Sequence, residues 1–563
     1  MLKQNADCRI EHLGKGRGLT CAWLHRFGRD EGGSMSMFAV FMFICMLMVA
    51  GIGIDLMRYE RNRATLQNTL DRAVLAAADL DQTRDANAVV TDYFSKAGIA
   101  QYLTNVSVDE GLGYKTVSAS AQSTLGTYFL SLLGINELTA PAVGTAEERI
   151  GNVEISLVLD VSGSMDWNSR MARMKPAAIE FVDAILDSAS ANAASISVIP
   201  YAMQVNAGKP ILDEYTTTAE HDYSHCVNFN DDQFSKSGLS QTEILELTAH
   251  FDPFTWDDGG VYRTVCPTYG YSQILPFTND KTELHTYINA LQAWGGTSID
   301  IGMKWGTVLL DPSTRPVVNA LINKGEVEAK FANRPVDYGS SETLKIIVLM
   351  TDGENSDQYM LNPSMRDGLS DVWYKPITGD TNLNGIKDSG EAEFDAAHYS
   401  AMLSNGTTTE YWWPDNEFND WYDHPYGNGT HQECNILGNC VLREEPGSAV
   451  QLTFPELFNM TSLANNADFI HSYQGNRWSV WYSNAYTKKE ASAKDQRTNH
   501  ICDAAKDQGV VVFTIGFEAP RSGQRLLSRC ASSPSHHFDV NGLDIADAFD
   551  SIAASITKLR LIQ

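Results

Sequence analysis

The sequence predicts an α/β protein. A doubly wound, mostly parallel sheet carries two large insertions, and an N-terminal transmembrane helix and a small α+β module precede it. Three observations lead there. Met35–Ile54 is a run of 20 residues without a charge. Four short apolar runs, Val153–Leu159, Ser195–Ile199, Leu344–Met350 and Val510–Ile515, are separated by helical patterns, the alternation that builds parallel sheets. The 563 residues are 43% hydrophobic and 20% charged, a globular composition with room for about three to four domains. The 42 basic and 70 acidic residues give a net charge of −28. So acidic a body argues against nucleic-acid or anionic-lipid binding and suits a compartment containing calcium or magnesium.

At 1.5 Å per residue the uncharged run spans about 30 Å, the thickness of a bilayer core. A buried core helix and a cleaved signal peptide are the other readings. A signal's apolar region is usually about 7–15 residues and closes on a small-residue site. Here the run continues into Asp55-Leu56-Met57-Arg58 with no such site, which favours an uncleaved anchor. Prepilin processing is not expected, because Phe38, five residues after Gly33, stands where a prepilin carries Glu. The tail, residues 1–34, holds six Lys/Arg against four Asp/Glu, while Arg58, Arg61, Arg63 and Arg72 follow the anchor, so charge bias sets the orientation only weakly. Cysteines add to it. Cys8, Cys21 and Cys45 precede or lie within the anchor, and six lie beyond it. An even set in an exported segment suggests disulfides, and nearness favours Cys226–Cys266, Cys434–Cys440 and Cys502–Cys530; six unpaired buried thiols are the other reading. The expected topology is a single pass through a membrane, with the N-terminus in the cytoplasm and the rest outside it.

Residues 55–150 read as a helix and a small module. From Asp55 to Leu80 there is no Pro or Gly, and Leu56, Tyr59, Leu66, Leu70, Val74 and Ala77 recur at helical spacing. Ala73–Ala78 is small-faced, so it can pack on its own module or on a partner helix. Strand-like pieces follow at Val106–Val108 and Lys115–Ser120, with a short apolar helix at Thr127–Leu133. The uncharged span closing on GIGIDLMRYERNRATLQNTLDRAVLAAADL, then this module, resembles the N-terminal region of TadG-like Flp pilus-assembly proteins over roughly residues 30–145.

The remainder, 151–563, carries three oxygen-rich turns after predicted strands. They are Asp160-Val-Ser162-Gly-Ser164, Gly295-Gly296-Thr297-Ser298 and Thr351-Asp352-Gly353. Hydroxyls and carboxylates without Cys or His point to Mg²⁺, Mn²⁺ or Ca²⁺ rather than zinc. The order D-x-S-x-S, G-G-T, T-D-G resembles the von Willebrand factor A domain and its metal-ion-dependent adhesion site. That resemblance implies that Ser162, Ser164 and Thr297 offer hydroxyls to the metal, that Asp160 and Asp352 act largely through water, and that a partner's carboxylate takes the open position. It covers about Asn152 to Leu561, some 400 residues, with insertions expected at about 204–280 and 355–495. The ending is expected to run helix Cys502–Gln508, strand Val510–Phe517, helix Leu526–Ala531, edge strand Phe538–Val540 and helix Ile545–Leu561.

The second insertion contains Asp380-Thr-Asn382-Leu-Asn384-Gly385-Ile386-Lys-Asp388-Ser-Gly390-Glu391. Oxygen donors at Asp380, Asn382, Asn384, Asp388 and Glu391, with the Ile386 carbonyl and a Gly at the reversal, follow the spacing of an EF-hand-type calcium loop. An Asx/Gly-rich surface turn is the other reading. No helix precedes the loop, and Glu391–Leu403 can form one after it. Trp373, Trp412, Trp413, Trp421, Trp478 and Trp481 fall in the same insertion. They can line a sugar or protein contact, or form the core of an inserted subdomain, which is favoured. His221, His225, His536 and His537 lack zinc-site spacing. The pilus resemblance implies a bacterial source, with the anchor in the inner membrane and the bulk in the periplasm or cell exterior, and sequons such as Asn405 and Asn459 then carry no weight.

Three functions follow as expectations. The first is a membrane-anchored envelope protein whose exported domain binds a protein partner through a divalent metal, in assembly or anchoring of Flp pili and surface adherence. The second is a tethered adhesin that touches matrix or glycan directly. The third, a metal-dependent hydrolase, lacks H-E-x-x-H, G-x-x-x-x-G-K-[ST] and G-x-S-x-G, and no general base is evident. No enzymatic activity is expected.

Overall fold

A computed structural model describes residues 33–79, 82, 84–111, 114–149, 152–188, 193–256, 260–340, 343–376, 398–414, 419–434, 438–445 and 447–558. The chain divides into two compact units, residues 1–149 with 561–563, and residues 150–560.

The first unit is built on one continuous 46-residue helix, α1 (Gly33–Ala78). Its most apolar window has a mean hydropathy of 2.6 and is 6% buried, so its first half presents bare apolar side chains. The second half is amphipathic. Leu66, Leu70, Ala73, Val74, Ala77 and Ala78 are buried against α2 (Ala86–Lys96) and an antiparallel meander of β1 (Leu103–Gly111), β2 (Tyr114–Gly126) and β3 (Glu137–Arg149). The small-faced Ala73–Ala78 segment therefore packs on its own module. Leu56, expected on the packed face, is 48% exposed. Asp55 marks the change from apolar to amphipathic helix. Its carboxylate accepts hydrogen bonds from the backbone N–H groups of Tyr128, Phe129 and Leu130 at 2.7–3.1 Å. Those are orphan donors of the 3₁₀ turn Leu130–Leu133, the reduced form of the helix expected at Thr127–Leu133.

The second unit is centred on a six-stranded sheet. Its strands are β4 (Asn152–Asp160), β5 (Ala194–Tyr201), β6 (Leu275–Thr278), β7 (Thr343–Thr351), β8 (Val511–Phe517) and β9 (His537–Val540). Their order is β9-β8-β7-β4-β5-β6. The first five are parallel, and β6 pairs antiparallel with β5, so the sheet is mixed. β6 lies inside the stretch read as the first insertion. It is four residues long and contains Pro276, which an edge strand tolerates because no neighbour needs its missing N–H.

Alternation along the strands feeds two cores. Ile347 and Leu349 face one side, with α5 (Ile299–Val308), α6 (Arg315–Lys324), α7 (Ala491–Asp507) and α8 (Arg521–Cys530), whose Trp305, Leu321, Ile501 and Leu527 are at most 1% exposed. Ile346, Val348 and Met350 face the other side, with α3 (Arg170–Ser188), α4 (Lys281–Ala290) and α9 (Asp544–Lys558) through Phe181, Leu284 and Phe549. A disulfide, Cys502–Cys530, joins α7 to α8.

The two inserted stretches share a third core. Phe251 and Val265 of the first pack with Leu361, Val372, Leu452 and Leu463 of the second. The second insertion contributes a five-stranded antiparallel sheet, ordered 420–422, 409–413, 399–404, 369–374, 450–453. Tyr399–Ser404 is thus a strand, which corrects the helix expected over Glu391–Leu403: its Tyr399 and Ala401 enter the core between two partner strands. Trp413 and Trp481 are buried, Trp412 packs against the shared core, and Trp373, Trp421 and Trp478 are half-buried. Cys226–Cys266 is a disulfide in the first insertion. In the hairpin 430–434/440–444, Cys434 stands directly opposite Cys440. The calcium-type loop, Asp380 to Glu391, lies outside the described residues.

Candidate functional site

The three oxygen-bearing turns meet at the carboxyl ends of β4 and β7. Asp160 is the last residue of β4 and is fully buried. One carboxylate oxygen accepts from the Ser162 N–H at 2.7 Å, which closes the tight turn, and the other accepts from the Thr351 hydroxyl at 2.5 Å, which ties β4 to β7. The Ser162 and Ser164 hydroxyls lie 3.1 Å apart, and Ser164 donates to Asp352 at 2.8 Å across 188 residues of sequence. The middle turn is joined by backbone: the Gly163 N–H donates to the Gly295 carbonyl at 2.8 Å, and the Trp294 N–H to Val161 at 2.7 Å. A Cβ on Gly163 would sit 3.2 Å from that carbonyl, so the close approach favours glycine. Thr297 is 6% exposed, and its hydroxyl lies 3.7 Å from where a Cβ on Gly353 would be, against the Asp352-Gly353 turn.

All five residues singled out from the sequence, Asp160, Ser162, Ser164, Thr297 and Asp352, therefore belong to one cluster of loops. The donor set is entirely oxygen, two carboxylates and three hydroxyls. Among the described residues no group of three or more His, Cys, Asp or Glu side chains is arranged to hold a metal. The chemistry of this cluster suits a hard cation and not a thiolate- or imidazole-bound one.

Electrostatics single out Asp160. Burial, then repulsion from Asp352, pushes its carboxyl up to about 7. Asp352 is relieved by Arg170, whose guanidinium donates to its second oxygen at 2.6 Å. Arg170 also donates to Glu518 at 2.9 Å, which Arg173 reaches at 3.2 Å.

Sequence reasoning missed Arg170, Glu518 and Lys494. Lys494 of α7 is fully buried behind the middle turn. Its ammonium donates to the Thr297 carbonyl at 3.1 Å, the Ser298 hydroxyl at 2.5 Å and the Ser356 carbonyl at 2.8 Å. The one available signal is a Lys among the apolar positions of a helix, and that says nothing of its distant partners.

Comparison with known proteins follows the same division. Residues 33–80 match the Flp pilus-assembly TadE/G-like family. No curated protein matches the chain. Among solved structures, the chain is similar to the vWF domain of the type V pili tip protein Mfa5 from Porphyromonas gingivalis. The identity is 14%, covering 72% of this chain and 95% of that one, with a TM-score of 0.30. It is also similar to the adhesive tip pilin GBS104 from Group B Streptococcus agalactiae, at 13% identity, 72% and 100% coverage and a TM-score of 0.28. The pilus adhesin SpaC from Lactobacillus rhamnosus GG shows 12% identity over 81% of this chain but 34% of its own, with a TM-score of 0.27. These TM-scores are too low to set the fold, which stands on the sheet and loops themselves.

Proposed function

We propose that this is a membrane-anchored, pilus-related adhesion protein whose second unit, a doubly wound domain of von Willebrand factor A type, docks a protein partner through a divalent cation. α1 would anchor the chain through residues 35–54, with the N-terminus in the cytoplasm and the second unit in the periplasm or outside the cell. Asp160, Ser162, Ser164, Thr297 and Asp352 would hold Mg²⁺, or Mn²⁺ or Ca²⁺ in its place. The cation would supply a Lewis-acidic position open to a partner's carboxylate. Asp380, Asn382, Asn384, Ile386, Asp388 and Glu391 would hold a separate Ca²⁺.

The observation that carries the reading is the Ser164–Asp352 hydrogen bond at 2.8 Å, made beside the Gly163–Gly295 backbone bond, which brings three distant oxygen-rich turns to one point. A binding role is favoured over hydrolysis by the engagement of Asp160. Its pKa of about 7 would suit a general base, yet it is fully buried and both oxygens already accept hydrogen bonds, so it cannot reach a substrate.

The test is calorimetric titration of Mg²⁺ into the full chain in detergent micelles, for wild type and Asp160→Ala, with near-ultraviolet circular dichroism as a control for the fold. The variant is expected to keep its spectrum and lose the Mg²⁺ isotherm. An unchanged isotherm would end the proposal.

A further inference from the structure

A cavity of about 780 Å³ opens directly off the candidate metal loops. Gly163, Gly295 and Gly296 form its inner end, and the first insertion forms its far wall from Tyr262 to Tyr269. A second cavity of about 510 Å³ shares Phe254, Tyr262 and Arg263 with the first and extends it to Trp256. The two make one trough, and its walls are aromatic.

Several of these rings face solvent. Trp167 is 68% exposed, Trp256 61%, Tyr262 47% and Tyr269 42%. Trp167 sits in the turn that follows Ser164, and the next two residues, Asn168 and Ser169, have φ of 53° and 56°. Two consecutive left-handed non-glycine residues cost conformational energy. Trp256 is stacked on Trp478 at 5.4 Å, and Tyr269 on Tyr271 at 5.2 Å, so these rings are fixed and not loosely draped.

The far wall is also rigid. Asp252 is fully buried, and its carboxylate accepts from the N–H groups of Phe254, Thr255, Tyr262 and Arg263 at 2.7–3.0 Å. Cys266 is tied to Cys226 by the disulfide. A preformed wall lowers the ordering cost of binding.

Among the described residues only one lining side chain carries a charge. Arg263 is exposed, and among the described residues its guanidinium has no hydrogen-bond or ion-pair partner. An unpaired cation on a chain of net charge −28 is complementary to an anion.

We infer that the trough is a peptide-binding site for an extended segment with one acidic side chain at the metal loops, apolar or aromatic side chains along the rings, and a second acidic side chain at Arg263. The inference rests on the metal-bridged reading above and adds the partner's pattern to it. A peptide is favoured over an acidic oligosaccharide by the apolar lining of the larger cavity, which adjoins the metal loops. Each sugar ring brings several hydroxyls that need hydrogen bonds, whereas that cavity offers chiefly rings and aliphatic groups. The Thr264 hydroxyl is already committed to the Cys266 carbonyl at 2.6 Å. Apolar side chains beside fixed aromatic rings make the compact anchors of peptide interfaces.

The experiment is binding of the full chain, in detergent, to an immobilised array of short synthetic peptides with one fixed Asp and every other position varied. It is run with Mg²⁺ and with EDTA, alongside an array of uronate oligosaccharides. Wild type is expected to retain, only with Mg²⁺, peptides that carry a second acidic residue separated from the first by apolar ones. Arg263→Glu should exchange that preference for a basic residue and weaken the doubly acidic peptides about 10-fold or more. Trp167→Ala should weaken all retained peptides about 10-fold. If EDTA abolishes retention while Arg263→Glu leaves the preference unchanged, the trough is not the site and the metal reading stands. If Arg263→Glu switches the preference but EDTA and Asp160→Ala have no effect, the trough stands and the metal reading falls. Retention of uronate oligosaccharides alone, or of no peptide at all, overturns the inference.

Discussion

Lys494→Met is the most informative single change, because it couples the core to the candidate site. Methionine keeps the aliphatic stem and removes the ammonium. Three hydrogen bonds go with it, though not at equal cost. The Thr297 carbonyl still accepts from the Ser356 N–H at 2.9 Å, so it is not orphaned. The larger effect falls on Asp300. That carboxylate is fully buried, has no hydrogen-bond partner among the described residues, and faces Lys494 at 3.7 Å and Arg497 at 3.8 Å. Arg497 is already shared with Asp231 at 2.6 Å. Burial raises the proton affinity of Asp300, and the two cations oppose that. Removing one leaves a buried, poorly compensated charge, for which the expected loss is about 3–5 kcal/mol. Urea unfolding of the second unit, followed by tryptophan fluorescence with disulfides intact, reads it directly. The double variant Lys494→Met/Asp300→Asn should regain about 1–3 kcal/mol relative to additivity, because the stranded charge is gone. Mg²⁺ affinity should also fall in the single variant, since Thr297 loses its rear tether. A loss under about 1 kcal/mol with an additive cycle would refute this account of Lys494.

Two further outcomes are expected. In the metal-free protein the raised Asp160 carboxyl means that the fold binds this proton more tightly than the unfolded chain does, so stability falls as pH rises from about 4 to 7 and levels off above. Mg²⁺ needs the deprotonated form, so its stabilisation, about 2.7 kcal/mol at a hundredfold excess over Kd, should be larger at pH 7.5 than at pH 5.5 in thermal melts. Replacing Cys502 and Cys530 by Ser opens a loop closed across 28 residues and should cost about 3.5 kcal/mol in the same unfolding assay, while leaving the Mg²⁺ isotherm in place.

What the sequence made legible was local. The core strands announced themselves as unbroken apolar runs because both sheet faces are covered, and the structure extends them by only a residue or two. The Asp160 and Asp352 turns were readable because each sits at the end of its strand, whereas the Gly295-Gly296-Thr297 turn lies between α4 and α5 and was readable only from its own residues. Illegible features were short or relational. β6 is four residues with a proline, below any periodic signal. Tyr399–Ser404 lacks clean alternation and follows an Ala- and Glu-containing stretch, so helical propensity misled where cross-strand pairing with Val372–Tyr374 decides. The merging of the two insertions depends on Phe251 and Val265 meeting Leu452 and Leu463, about two hundred residues further on, and no spacing rule encodes that. Arg170 and Lys494 gain their meaning only from partners brought in by the fold.

Those two cations set what the site can do. At the front, Asp160 and Asp352 contribute −2 when ionised, and Arg170, at 2.6 Å from Asp352, contributes +1. Glu518 is balanced by Arg173. The cluster therefore carries −1, enough to attract a dication but too little to neutralise it. With the proposed dication in place the sum would be +1, and the surface would favour an incoming carboxylate. Had Arg170 been neutral, the same loops would hold the dication at zero net charge and would attract an acidic partner far less. At the rear, Lys494 holds the Thr297 turn by its backbone carbonyl, so the Thr297 side chain is left free for the front. Structural cations thus hold the loops in position while the site itself keeps a deficit of negative charge. The proposed docking of an anionic partner would need that combination, whereas a hydrolytic centre, which needs an accessible base, would not gain from it.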